Sequence, residues 1–341
     1  MVSRSQGSRL LRVALALAGA AVLLLAAFSA AAWWWLERPL PLAGERAELS
    51  IEAGMNPREV AEAWVAAGVR APPRLLYEWF RWSGQARRIR AGSYQIEAGT
   101  SPRRLLAKMV QGEETLEQVR FIEGWTVRQL RAELARAPNL RPTTARMSDA
   151  ELMAALGAPG VPAEGRFFPD TYAYSRGVSD LTVLRRALRA LDDRLAAAWA
   201  ERAPGLPLQS PEQALILASI VEKETGRAAD RALVAGVFVN RLRAGMPLQT
   251  DPTVIYGLGA AFDGNLRKRD LLADGPYNTY TRAGLPPTPI ALPGLAALRA
   301  AVRPEPTRAL YFVARGDGSS AFSENLGDHN RAVNQFQRRQ R

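Results

Sequence analysis

Glu222-Lys223-Glu224-Thr225 closes a run, Ile216 to Val221, that carries no charge and a single hydroxyl, Ser219. A carboxylate at the mouth of an apolar helix can do acid chemistry. Burial disfavours its charged form, and the partial negative charge at a helix C-terminus disfavours it further, so both raise its pKa. A carboxyl still protonated near neutral pH is a general acid and, once ionised, a general base. The two acids lie about 200° apart around a helix, so at most one points inward. Glu224 follows Val221, Ile220 and Leu217 on an apolar stripe, whereas Glu222 follows Ala218 and Ser219; the spacing favours Glu224. The competing reading is a solvated helix end on which both acids flank Lys223.

The helix that positions these acids is signalled at its start. Ser210-Pro211-Glu212-Gln213 supplies an N-cap, a proline at the first helical position and a glutamine three residues after the cap. Gly226 is its predicted stop. A second helix is predicted over Arg231 to Arg243. Two polar, aromatic stretches follow, Met246 to Tyr256 and Tyr277 to Pro287. The first reads as too irregular for a helix. Both have the composition of a cleft that hydrogen-bonds a polyhydroxylated ligand, or of long connections satisfying their own backbone.

Composition narrows the chemistry. The 341 residues contain no cysteine and one histidine, His329, so disulfides, thiolate catalysis and multi-histidine metal sites are excluded, and no cofactor is expected. No Ser or Cys constellation accompanies His329, which is read as a hydrogen-bonded structural residue. With 45 Lys+Arg against 33 Asp+Glu the net charge is +12, which favours anionic partners. Val13 to Leu36 is uncharged and, at about 1.5 Å per residue, exceeds a hydrocarbon core of about 30 Å. Arg4, Arg9 and Arg12 precede it and Trp33, Trp34 and Trp35 close it. That pattern predicts a cytoplasmic N-terminus over 1–12, a membrane anchor over 13–36 and export of everything after it. A cleaved signal peptide is the alternative, which the length and the closing tryptophans disfavour. Export removes nucleic acid as a partner.

Beyond the anchor, Ile51-Glu52-Ala53-Gly54-Met55-Asn56-Pro57-Arg58 recurs as Ile96-Glu97-Ala98-Gly99-Thr100-Ser101-Pro102-Arg103, and more loosely from Ile122 to Arg128. Each copy reads as strand, glycine turn, cap and helix. A module of such repeats over 46–136 suits either a wall-binding unit of the lysin-motif type or a packed spacer. Further helices are predicted over Pro73 to Trp82, Ser148 to Leu156 and Leu181 to Ala200. Phe167 to Tyr174 holds four aromatics and reads as a core-facing strand or turn, and Arg315-Gly316-Asp317-Gly318 as a hairpin turn. The fold class is α+β, with a mixed α/β domain over 137–341.

Taken in order, Leu217 to Thr225, Val237 to Leu242, Leu248 to Gly257, Tyr277 to Tyr280, Gly284 to Pro287 and Tyr311 to Ala314 resemble the bacterial endolytic murein transglycosylases, the YceG-like family. Ala91 to Tyr94, Phe168 to Thr171 and His329-Asn330 extend the resemblance. It implies a single-pass inner-membrane anchor, a lysin-motif-like module and a periplasmic catalytic domain that cuts peptidoglycan glycan strands, with peptidoglycan synthases as partners. The family's catalytic glutamate maps to Glu224. A lytic transglycosylase manages with one carboxylate because the MurNAc C6 hydroxyl supplies the nucleophile. Gln249, Asp251, Asn278 and Tyr280 are the predicted substrate-binding residues. Asp251 could instead be the second carboxylate of a hydrolase, or an Asp-Pro turn former. A non-catalytic scaffold that recruits wall-synthesis enzymes fits the basic charge and the repeats as well.

Overall fold

The structure, a computed structural model, describes residues 4–338. Residues 1–3 of the predicted cytoplasmic segment and 339–341 of the predicted catalytic domain lie outside the described residues. The chain divides into two compact units, Met1–Glu117 and Gln118–Arg341.

In the first unit, helix α1 runs from Arg4 to Glu37. Its stretch Leu17–Glu37 has a mean hydropathy of 1.9 and is nowhere buried, so it is long and apolar enough to cross a membrane. Strand β1 (Arg46–Ile51) then pairs antiparallel with β2 (Gly92–Glu97), in register from Arg46↔Glu97 to Ile51↔Gly92. Between the strands lie α2 (Pro57–Ala66) and α3 (Pro73–Trp82), and α4 (Pro102–Gln111) follows β2. The alternating residues Ala47, Ile51, Tyr94 and Ile96 face a core that includes Trp64, Phe80, Leu105 and Met109. The repeat is a repeat of helix starts: Asn56 and Ser101 cap α2 and α4 through their side chains. The third copy does the same, with Thr126 capping α5 (Val127–Arg136), but its apolar face packs with Leu152, Phe167 and Tyr172 in the second unit. Cap chemistry is local and repeats readily, whereas the apolar face decides which core a helix joins.

Strand β3 (Glu117–Arg120), all but its first residue in the second unit, pairs with β4 (Thr171–Tyr174), with α5 and α6 (Asp149–Leu156) between them. The aromatics of 167–174 are core residues, as predicted: Phe167, Phe168, Tyr172 and Tyr174 are all buried. Then come α7 (Asp180–Ala200), α8 (Pro211–Glu224), α9 (Arg231–Arg243), α10 (Asp251–Leu258), α11 (Lys268–Leu272) and α12 (Leu295–Val302). The chain closes with the hairpin of β5 (Tyr311–Ala314) and β6 (Ser320–Ser323), followed by α13 (Leu326–Val333). Arg315 to Ser319 forms the hairpin turn, closed by Arg315 N donating to Ser319 O at 2.9 Å.

Helix α8 is the centre of this unit. Ala214, Leu215, Leu217, Ala218, Ser219, Ile220 and Val221 have no exposure at all, and α7, α9 and α12 enclose them. The one buried hydroxyl is satisfied twice: Ser219 Oγ donates to Ile216 O at 2.7 Å and accepts from Ile290 N at 3.0 Å. One prediction fails here. Met246 to Tyr256 is helical from Asp251 onward, because Pro252 falls in the first turn, where its locked φ favours a helix rather than breaking one.

Candidate active site

The last turn of α8 places its two acids in different surroundings. Thr225 leaves the helix in an extended conformation while its hydroxyl donates to Val221 O at 2.6 Å. Both glutamates are drawn inward, contrary to the prediction of one at most. Of this last turn only Lys223 is exposed, and neighbouring elements cover the sides from which both acids project. Glu222, with its side chain only 7% exposed, accepts from Gly294 N at 2.9 Å and faces Arg231 Nη2 at 3.9 Å. It therefore caps the start of α12. Burial raises its pKa, and the neighbouring Glu123 adds to the rise while the Gly294 hydrogen bond opposes it. A Cβ at Gly294 would meet the Glu123 carboxylate, which would have to swing aside.

Glu224 enters an open cavity of about 500 Å³ that Arg241, Gln249, Asp251, Tyr280 and Tyr311 also line. Thr250 Oγ1 donates to its Oε1. Burial raises the Glu224 pKa, the Thr250 hydrogen bond opposes that in part, and the Asp251 carboxylate adds to it. Burial and the neighbouring carboxylate thus shift the acid in the direction that the sequence pattern suggested.

Of the predicted binding residues, Gln249, Asp251 and Tyr280 meet Glu224 in this cavity. Gln249 is held in the left-handed region at φ 52°, with its N–H donating to Thr279 O at 3.0 Å. Its Oε1 accepts from Arg241 Nη1 at 3.0 Å, which leaves the amide nitrogen as the donor it can offer a ligand. Asp251 begins α10, and its Oδ1 accepts from the Tyr280 hydroxyl at 2.6 Å. Burial and that carboxylate hold the phenol well above its ordinary pKa, so Tyr280 stays a donor. Asn278 is not a cleft residue. Its Nδ2 donates to Asp270 O, Leu271 O and Ala273 O, and its Oδ1 accepts from Tyr280 N at 2.9 Å, so the amide is consumed in shaping the loop.

Three further residues at the cleft were not among the predicted site residues. Thr250 makes the hydrogen bond to Glu224. Arg241 is 7% exposed, and its guanidinium donates to Leu310 O at 2.7 Å and to Pro247 O and Leu248 O at 3.0 Å, lying 5.0 Å from the centroid of Tyr311. An arginine shortly after the apolar run Ala232 to Val239 of α9 was the available signal. His329 stacks on Tyr311 with centroids 5.2 Å apart and lines the same cavity. Contrary to the hydrogen-bonded role predicted for it, its Nδ1 is buried without a partner among the described residues. Burial, with Arg241 nearby, holds its pKa below the ordinary histidine value, so the ring is neutral at neutral pH.

One more acid is perturbed, away from the cavity. Glu164 accepts from Val127 N at 3.0 Å and from the Tyr256 hydroxyl at 3.2 Å, and burial pushes its pKa up to about 7 despite both bonds. The neutral form is favoured by the fold, so its contribution is complete below pH 4.5 and is lost as pH rises through about 7. Its weight is on the order of 3 kcal/mol. Glu164→Gln should flatten this part of the stability-against-pH curve in chemical denaturation, while leaving the α5 start capped.

The sequence model of the YceG-like family matches residues 49–335. The chain belongs to the YceG-like family. It is 38% identical over 175 residues to the endolytic murein transglycosylase of Bacillus subtilis (strain 168), a match covering 51% of this chain and 48% of that protein. It is 26% identical over 319 residues to the endolytic murein transglycosylase of Streptococcus pneumoniae (serotype 2, strain D39), covering 84% of this chain and 57% of that protein. The YceG-like chain thus spans about half the length of these relatives. Its fold is similar to the crystal structure of a YceG-like protein from Listeria monocytogenes, with a TM-score of 0.55 and 28% identity, covering 85% of this chain and 99% of that one.

Proposed function

We propose that this chain is a membrane-anchored lytic transglycosylase that cuts the MurNAc–GlcNAc bond within peptidoglycan glycan strands. The observation that carries the reading is Glu224, a carboxyl pushed toward its protonated form at the edge of a cleft lined by Gln249, Asp251 and Tyr280. The names of the relatives support the same class of reaction. Thr250 donates to Oε1, so Oε2 is the oxygen left to carry the proton. From there Glu224 protonates the glycosidic oxygen, and the C1–O bond breaks with its electron pair leaving on the GlcNAc oxygen. The carboxylate so formed takes the proton of the MurNAc C6 hydroxyl as that oxygen closes on C1. No water is consumed, and the new end is 1,6-anhydroMurNAc. The Gln249 amide and the Tyr280 and Asp251 pair border the developing oxocarbenium charge.

The apolar stretch of α1 would hold the protein in the inner membrane, with the arginines before it on the cytoplasmic side and the remainder in the periplasm. The β1–β2 sheet, packed by α2 and α4, supports a lysin-motif-like role in holding glycan. Peptidoglycan synthases are proposed as partners on the family resemblance alone.

A second reading follows from Asp251, whose carboxylate shares the cavity with Glu224. Used as base or nucleophile, it would make the protein a two-carboxylate hydrolase. Mass spectrometry of products from purified peptidoglycan separates the two. Anhydro ends are expected; reducing ends, one water heavier, would overturn the lytic reading.

A further inference from the structure

Glu222 turns away from the catalytic cleft, toward Arg231. Beyond it lies a larger cavity of about 660 Å³, with Phe168, Leu295 and Ala300 giving it apolar walls and Arg231, Arg299 and Arg303 lining it with charge. These arginines are underused. Arg231 has its Nε buried with no acceptor among the described residues. Arg299 on α12 and Arg303, the residue that ends it, are both exposed and have no ion pair or side-chain hydrogen bond among the described residues. Two acids also line the cavity. Asp170 accepts from Thr171 N at 2.7 Å and faces Arg194 at 3.9 Å, and Glu123 lies against Gly294 and Glu222. Neither is paired with Arg299 or Arg303.

Unspent guanidiniums around an apolar cavity suit a planar anion, which their forked donors hold by paired hydrogen bonds. The sugar backbone of peptidoglycan offers hydroxyls and acetamides. Its anions are the carboxylates of the peptides borne on the MurNAc lactyl groups. We propose that this cavity is a subsite for a peptide-stem carboxylate of the strand being cut, an inference that rests on the transglycosylase reading. Glu224 lines the cleft, and Glu222, two residues before it on α8, faces Arg231 of the cavity, so both lie by the same end of that helix. A strand crossing the helix end would present its scissile bond to Glu224 and the stem of a nearby MurNAc to the arginines.

The test is calorimetric titration of the full chain in detergent with the soluble disaccharide-peptide GlcNAc–MurNAc-peptide. That ligand contains no MurNAc–GlcNAc bond and is not consumed. Amidating its carboxylates, or substituting Arg299→Ala together with Arg303→Ala, should weaken binding roughly tenfold. Both side chains are exposed, so the fold is not at stake. Arg308→Ala, at an exposed arginine paired with Glu324, should change nothing. Equal affinity in wild type and the double variant, or tighter binding of inorganic phosphate than of the disaccharide-peptide, would overturn the subsite. Carboxylate-dependent binding without release of anhydro ends would remove the transglycosylase reading and leave the subsite standing.

Discussion

Glu224→Gln should stop the release of anhydro-ended glycan from peptidoglycan, a loss of roughly 10³-fold for a missing general acid, and should make the protein more heat-stable at neutral pH. The two effects share a cause. The fold holds the Glu224 carboxyl above its usual value of 4.5, chiefly by burial. The stabilisation this group gives is complete below that value and is lost as pH rises through the folded pKa, beyond which a charge is held where water cannot solvate it. Glutamine keeps the shape and an acceptor for Thr250 but cannot ionise. Melting curves of the two proteins should converge near pH 4 and separate, with the variant higher, as pH rises. Wild-type cleavage should fall over the same range as the acid loses its proton. Glu222→Gln is the parallel control: its amide oxygen can still accept from Gly294 N, so cleavage should persist. Loss of cleavage in the Glu222 variant with retention in the Glu224 variant would exchange their roles.

Arg241→Ala should be the most destabilising change in the cleft. The side chain is bonded to Leu310, Pro247 and Leu248 carbonyls and to the Gln249 amide oxygen, and so ties α9 to the start of β5 and to the loop that carries Gln249 and Thr250. Removing it strands buried acceptors and leaves a void, at a cost on the order of 3 kcal/mol. Arg241→Lys should rescue little, because an ammonium lacks the planar fork that reaches these acceptors together. Urea denaturation measures the stability loss. The functional mark of a positioning role is a fall in kcat under conditions where the variant remains folded, since Thr250 would no longer be held against Glu224. A variant as stable and as active as wild type would show that the arginine is dispensable.

Local chemistry was legible in the sequence and distant chemistry was not. The start of α8 is written in Ser210-Pro211, and the Ser210 hydroxyl does accept from Gln213 N at 3.3 Å. Asn56, Ser101 and Thr126 announced three other helices by the same logic. Glu222 was misjudged because its partner Gly294 lies 72 residues away. Arg241 was overlooked for the same reason, with Leu310 O 69 residues off. Asn278 was misassigned because composition marks a polar loop without saying whether its groups face a ligand or their own backbone. Pro252 was misread because a proline signals both the end and the beginning of helices, and only the preceding Thr250, in extended conformation, decides which.

The left-handed backbone at Gln249 has a bearing on how tightly a glycan can be held. A non-glycine residue at φ 52° costs roughly 1 kcal/mol or more, a cost met when the chain folds. The loop is fastened there by Thr279 O on the backbone side and by Arg241 on the side-chain side. On the proposed function, the donor that a sugar would meet is already held in place, so little rotational freedom would remain to be surrendered on association. Binding energy is then available for distorting the ring toward the flattened geometry of bond cleavage, instead of being consumed in ordering the receptor.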